Sequence, residues 1–148
     1  MATRDEILTS LLSERTVDIV TTGRRSGESR TTEIWTTPLF GRVFICGTPN
    51  AGKPGVLHQP RDWLANLLAH PDFVVRLKRG VAVELTARAE AVTDEDLRRA
   101  VLSAPSTEYY RDKAMSFDAA LAHSPMVEVT FTGDAAWLNE AVQGTASE

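Results

Sequence analysis

Residues 73–92 read FVVRLKRGVAVELTARAEAV and have the pattern of two β-strands joined by a tight turn. The turn falls at Gly80, because glycine enters the backbone conformations of tight turns without steric cost. In the second strand apolar side chains occupy every other position, namely Val83, Leu85, Ala87 and Ala89. A period of two predicts strands with one buried and one solvated face, as antiparallel sheets have.

Four further segments have the composition of β-strands, namely residues 17–22, 30–37, 43–46 and 126–132. Pro38 is predicted to end the second of them, because proline cannot donate a hydrogen bond to a neighbouring strand. Residues 43–46 form an uninterrupted apolar run, which predicts burial on both faces. Since neighbouring strands are joined by short turns or by one helix, about six strands are expected to form an antiparallel barrel rather than a doubly wound parallel sheet.

Three or four short helices are expected around this barrel. A capping box that begins at Thr3 predicts the start of the first helix. In residues 61–70 apolar side chains recur at helical spacing, namely Trp63, Leu64, Leu67 and Leu68. These leucines are expected to pack inward. Thr93 is predicted to cap a third helix, and Ser106 to start a fourth that continues to Pro125.

The length and composition are those of one small globular domain, predicted to span residues 1–148. The net charge of -4 argues against a general nucleic-acid-binding protein. No apolar run approaches the ~20 residues of a membrane span, and the N-terminus lacks the features of a secretory signal. Cys46 is the only cysteine, so the chain is expected to be cytoplasmic. No metal site is expected, because the histidines lack ligand spacing: His58, His70 and His123.

Residues 21–30 read TTGRRSGESR and form a basic loop between two predicted strands. Its three arginines fall within seven residues: Arg24, Arg25 and Arg30. Gly27 helps the backbone to turn with its N–H groups inward, guanidinium groups match phosphate oxygens, and Ser26 adds a hydroxyl donor. The loop is neither a P-loop nor a Rossmann fingerprint, because a strand follows it. It predicts a site for a small anion such as phosphate, with a solvated hairpin tip as the alternative.

Two motifs narrow the choice of function. Residues 22–30 read TGRRSGESR, and residues 61–71 read RDWLANLLAHP. In this order and spacing the motifs resemble the deazaflavin-dependent nitroreductase family, and the resemblance covers residues 16–92. It implies a mainly β protein with peripheral helices, a split β-barrel of the FMN-binding type. It also implies binding of the deazaflavin coenzyme F420.

The resemblance implies roles for individual residues. The predicted cofactor-binding residues are Arg24, Arg25, Ser26, Gly27, Arg30, Trp35, Lys53, Asp62 and Trp63. The arginines would hold the phosphate of F420. The family's ring-flanking tryptophan falls on Trp63, although its place on the apolar face of a helix also fits a core residue.

Glu33 departs from the family's pattern. Strand alternation places it on the same face as Trp35, where a carboxylate would repel an anionic deazaflavin ring. FMN is therefore the alternative cofactor.

The sequence contains no Gly-x-Ser-x-Gly elbow and no Ser-His-Asp set. This suits an enzyme whose cofactor supplies a hydride. Because the corresponding helices of the family approach the substrate, Tyr109 and Tyr110 are predicted substrate-binding residues. Tyr109 is also a candidate proton donor, with solvent as the alternative, whereas the apolar stripe around Tyr110 favours a core position.

The sequence therefore predicts a reductase that transfers hydride from reduced F420 to an electrophilic organic acceptor such as a quinone, a nitroarene or an activated alkene. An FMN-dependent oxidoreductase on the same barrel is one alternative. A non-catalytic carrier or sensor of a flavin or tetrapyrrole is another. A homodimer is expected from family habit and from the apolar residues 43–46, which a single small barrel would leave uncovered.

Overall fold

Six antiparallel strands close into a barrel in the computed structural model, which describes residues 2–48 and 62–145. They are β1 (Thr16–Thr22), β2 (Ser29–Leu39), β3 (Arg42–Cys46), β4 (Asp72–Leu77), β5 (Val83–Ala91) and β6 (Met126–Phe131). The order around the barrel is β1, β2, β3, β6, β5 and β4, and β4 pairs again with β1. The predicted antiparallel split β-barrel is confirmed.

Helices pack against the barrel. They are α1 (Arg4–Ser13), α2 (Asp62–Ala69), α3 (Glu95–Leu102), α4 (Glu108–Asp112), α5 (Phe117–His123) and α6 (Trp137–Gly144). The capping box predicted for α1 is present, since the Thr3 hydroxyl accepts from the Glu6 N–H and the Glu6 carboxylate accepts from the Thr3 N–H, both at 3.1 Å. Within the described residues no helix has the length and apolar character needed to cross a membrane.

Strand β3 separates two hydrophobic clusters, because its alternate side chains point to opposite faces. Val43 and Ile45 belong to the cluster inside the barrel, and Phe44 and Cys46 belong to a second cluster beneath α3, α4 and α5. All four are buried within this one chain, as predicted. The chain itself covers both faces of the strand, so the expectation that these residues need a partner subunit is wrong. Homodimerisation stays a prediction that rests on family habit.

Strand β2 continues through Pro38, so the prediction that this proline ends it is wrong. The strand pairs with β1 as far as Trp35 and with β3 from Thr36 onward. Among the described strands only β3 lies beside Pro38, which is in register with Val43. A residue without an N–H group is tolerated where a strand has one neighbour.

The helical layer differs from the prediction at two helix starts. Helix α3 is capped by Asp94 and not by Thr93, and the Asp94 carboxylate accepts from the Leu97 N–H at 2.9 Å. The single helix predicted from Ser106 is a 3-10 turn followed by α4 and α5. The break occurs because Ser116 adopts an extended backbone and caps α5.

Two further differences concern apolar residues. Leu68 was expected to pack inward, but it lies on the outer face of α2 and is 60% exposed. Trp137 begins α6, a helix that was not predicted. The residues of α6 that face the barrel, Leu138 and Val142, join the cluster inside it.

Candidate functional site

The loop between β1 and β2 closes on itself through its backbone. The Gly23 N–H donates to the Glu28 carbonyl at 2.7 Å, and the Gly27 N–H donates to the Gly23 carbonyl at 2.9 Å. Gly27 has φ +71°, in the left-handed region that favours glycine. At Gly23 a side chain would come within 2.7 Å of the Ser26 hydroxyl. The glycines therefore allow the tight turn from which the arginine side chains extend.

Arg24, Arg25 and Arg30 are exposed around this turn. Within residues 2–48 and 62–145, none of their guanidinium groups forms an ion pair or a hydrogen bond. A cavity of about 380 Å³ lies against the loop; its lining residues include Arg24, Arg25, Ser26, Arg30, Thr32 and Trp63. Three guanidinium groups and a hydroxyl without acidic partners there form a donor set that fits a phosphate group.

Asn66 connects helix α2 to the arginine loop. Its side-chain oxygen accepts from the Arg24 N–H at 3.0 Å, and its side-chain nitrogen donates to the Thr21 hydroxyl at 3.4 Å. Asn66 is only 8% exposed, so these contacts satisfy a buried amide. Sequence reasoning missed this residue. The available signal was a polar side chain on the apolar face of α2, beside Leu67.

A second cavity, of about 390 Å³, adjoins the first, since Thr32 and Trp63 line both. Its other lining residues include Glu33, Trp35, Cys46, Gly47, Tyr109 and Tyr110. Trp35 meets Tyr109 edge to face with ring centroids 5.2 Å apart, and Tyr109 meets Tyr110 at 5.8 Å. One cavity is therefore cationic, and the adjoining one has an aromatic wall.

Trp63 is both a core residue and a lining residue. It is 7% exposed and belongs to the cluster inside the barrel, yet it lines both cavities. Gly47 lies against the ring, and a side chain at Gly47 would come within 3.2 Å of Trp63 Cζ2. The core and cofactor interpretations of Trp63 therefore do not exclude each other.

Tyr110 and Cys46 are neutral groups beneath the second cavity. Burial raises the pKa of the Tyr110 hydroxyl to about 12 and that of the Cys46 thiol to about 12. A thiol held neutral by burial is a poor nucleophile. The Tyr109 side chain is 46% exposed at the edge of the cavity.

We expect these two groups to make the protein less stable at alkaline pH. Their ordinary pKa values are 10.0 for tyrosine and 9.0 for cysteine, and both are raised in the folded state. The contribution of these two groups to the free energy of unfolding is complete below about pH 9 and is lost as the pH rises to about 12. Tyr110→Phe should therefore flatten the fall in unfolding free energy over this range, measured by denaturant titration. If the unfolding free energy of Tyr110→Phe and that of Cys46→Ala both fell with pH as steeply as in the wild type, this assignment would be wrong.

Glu33 lines the second cavity, but its charge is partly compensated. Lys78 donates hydrogen bonds to the Glu33 carboxylate and, at 2.9 Å, to the Asp18 carboxylate. The hydrogen bond to Asp18 and then that to Glu33 raise the pKa of Lys78. Asp18 and Glu33 face each other across β1 and β2, and the lysine bridges them. The repulsion expected between Glu33 and an anionic ring is thus reduced by a residue that sequence reasoning did not identify.

The structure brings most of the predicted site residues to these two adjoining cavities. Gly27 lies in the turn itself and does not line either of them. Lys53 and the side chain of Asp62 lie outside the described residues.

Residues 6–128 match the sequence model of the F420H(2)-dependent quinone reductase family. The chain belongs to this family. It is therefore an F420-dependent reductase, and the predicted enzyme class and cofactor are confirmed. None of the curated proteins matches the chain.

Three solved structures share the reductase's fold. A candidate 5-nitroimidazole antibiotic resistance protein from Bacteroides thetaiotaomicron superposes with a TM-score of 0.64 at 12% identity, over 90% of this chain and 82% of its own. An FAD-binding protein from Mesorhizobium loti has a TM-score of 0.59 at 14% identity, over 89% and 91%. A heme storage protein from Vibrio cholerae has a TM-score of 0.60 at 13% identity, over 90% and 92%. At these identities the likeness shows the fold alone.

Proposed function

We propose that the reductase binds the phosphate of F420 at Arg24, Arg25 and Arg30, places the deazaflavin ring in the aromatic cavity, and reduces a quinone there. The observation that carries this proposal is the pair of adjoining cavities, one cationic and one aromatic. Trp63 lies at their junction. An elongated cofactor with a flat ring at one end and a phosphate in the chain that extends from it matches that arrangement.

The bound cofactor supplies a hydride, so the protein's own residues bind, orient and exclude water. The aromatic wall of Trp35 and Tyr109 suits a flat acceptor, because offset and edge-to-face ring contacts are favourable. A quinone that accepts one hydride and one proton becomes a hydroquinone. Tyr109 is the proposed source of that proton, since its hydroxyl group lies on a half-exposed side chain at the cavity edge and can be reprotonated from water.

Nitroarenes are a second acceptor class. They are also flat and electrophilic, so the same aromatic wall accepts them. One protein of the same fold is described as a candidate for resistance to 5-nitroimidazole antibiotics. That description supports including nitroimidazoles among the acceptors tested.

Anaerobic oxidation of reduced F420, followed by the return of the oxidised chromophore's absorbance, tests the proposed function. We expect turnover with a soluble benzoquinone or naphthoquinone, and slower turnover when reduced FMN replaces reduced F420. Reduced FMN serving equally well would favour the alternative cofactor. No oxidation of reduced F420 by quinones or nitroimidazoles would contradict the proposal.

A further inference from the structure

Arg15 joins two walls of the aromatic cavity. Its Nε donates to the Thr36 carbonyl at 2.9 Å, and its Nη2 donates to the Thr37 hydroxyl at 3.1 Å. Both acceptors belong to β2, the strand that carries Trp35. Its Nη1 donates to the Ser106 carbonyl at 3.1 Å, in the 3-10 turn that leads into α4. One guanidinium group therefore ties the tryptophan's strand to the helix that carries both tyrosines.

The position of Arg15 is fixed from several directions. Its own carbonyl accepts from the Thr36 N–H at 2.8 Å, and its Cζ lies 5.7 Å from the centre of the Trp35 ring. In the part of the chain that the structure describes, no acid pairs with it, so its hydrogen bonds go to neutral oxygens. The planar guanidinium group presents its donors in a fixed fork and so holds three acceptors on two elements in a defined geometry, which the compact ammonium of lysine reproduces less well.

We propose that Arg15 is a positioning residue for the acceptor. It holds Trp35 at its distance from Tyr109, and the acceptor binds between these rings and the deazaflavin. This inference rests on the proposed function. Arg15 does not line either cavity, so it acts through Trp35 and through the segment before α4. Its loss should misplace the acceptor while leaving the phosphate end of the site intact.

Arg98 provides a matched control. Like Arg15 it is half-buried, and its guanidinium group donates to three oxygens, the carbonyls of Leu121, Val92 and Ser124, at 2.7 to 3.0 Å. It ties α3 to α5, and none of these three hydrogen bonds reaches β2 or α4. Replacing it therefore removes the same kind of packing contact away from the aromatic wall.

The test compares Arg15→Met, Arg15→Lys and Arg98→Met. For Arg15→Met we expect the quinone KM to rise about tenfold with a smaller change in kcat, because the acceptor is misplaced. F420 affinity should change much less than the quinone KM, since the arginine loop is untouched. Arg15→Lys should show an intermediate KM, and Arg98→Met should lose stability with an unchanged KM. Acrylamide quenching of Trp35 fluorescence, obtained by subtracting the matching Trp35→Phe protein, should rise in Arg15→Met, rise less in Arg15→Lys and stay unchanged in Arg98→Met.

An unchanged KM and unchanged Trp35 quenching in Arg15→Met would overturn the inference. If that variant does not fold, Arg15→Lys carries the same comparison. Wild-type protein that oxidises no reduced F420 would contradict the proposed function alone. In that case the quenching comparison still tests whether Arg15 positions Trp35.

Discussion

Replacing Arg30 with alanine is expected to weaken F420 binding by about ten- to a hundredfold. A guanidinium group that holds a phosphate makes charge-assisted hydrogen bonds with a net contribution of roughly 1.5–3 kcal/mol, which corresponds to that loss. The stability of the protein without cofactor should barely change, because Arg30 is exposed and forms no ion pair within the described residues. Fluorescence titration with F420 and thermal unfolding of the same variant measure both quantities.

Arg79→Ala is the matched control for this variant. Arg79 is also an exposed loop arginine, in the connection between β4 and β5, so its replacement changes the net charge equally. It should leave F420 affinity unchanged. Inorganic phosphate should compete with F420 in the wild type and much less in Arg30→Ala. Unchanged affinity in Arg24→Ala, Arg25→Ala and Arg30→Ala alike would mean that the loop is a solvated hairpin tip.

Replacing Trp63 with alanine is expected to lower stability and cofactor affinity together. Because the side chain is almost fully buried in the barrel cluster, its removal should lower the unfolding free energy by about 3–5 kcal/mol. Because it also lines both cavities, F420 should bind more weakly to the protein that remains folded. Denaturant titration and F420 titration at low temperature measure the two effects separately.

Trp137→Ala separates a general loss of packing from a loss of the site. Trp137 also packs against the barrel cluster, but it lines neither cavity of the proposed site. It should lower stability with little effect on F420 affinity. If Trp63→Ala and Trp137→Ala affected F420 affinity equally, Trp63 would be a core residue only.

The strands were predictable because the pattern that forms them is local. In β5 alternate residues such as Leu85 and Ala87 are buried, and the same alternation is visible in the sequence. The end of β2 was not predictable in this way. Whether Pro38 stops a strand depends on how many neighbours the strand has there, and that is a property of the closed barrel. The break between α4 and α5 was missed for a related reason, since the stripe of apolar residues continues across it.

The residues of the site were likewise predictable only where they lie close together in the sequence. The arginine loop is contiguous in the chain, so residue types and spacing were enough to locate it. Lys78, Asn66 and Arg15 were not identified, because each acts on residues at least 21 positions away. Only the pairing of β1 with β2 and with β4, and the packing of α2 and α4 on the barrel, bring those partners together.

The most direct test of the phosphate-binding loop compares two ligands that differ only in the phosphate, namely the deazaflavin ribityl compound and its terminal phosphate monoester. Both ligands are titrated into the wild type and into the Arg24→Ala/Arg25→Ala/Arg30→Ala variant. We predict that the wild type binds the phosphorylated compound at least about a hundredfold more tightly than the phosphate-free compound, and that the triple variant binds the two equally. Equal binding of both ligands by the wild type, or a preference that survives in the triple variant, would contradict it.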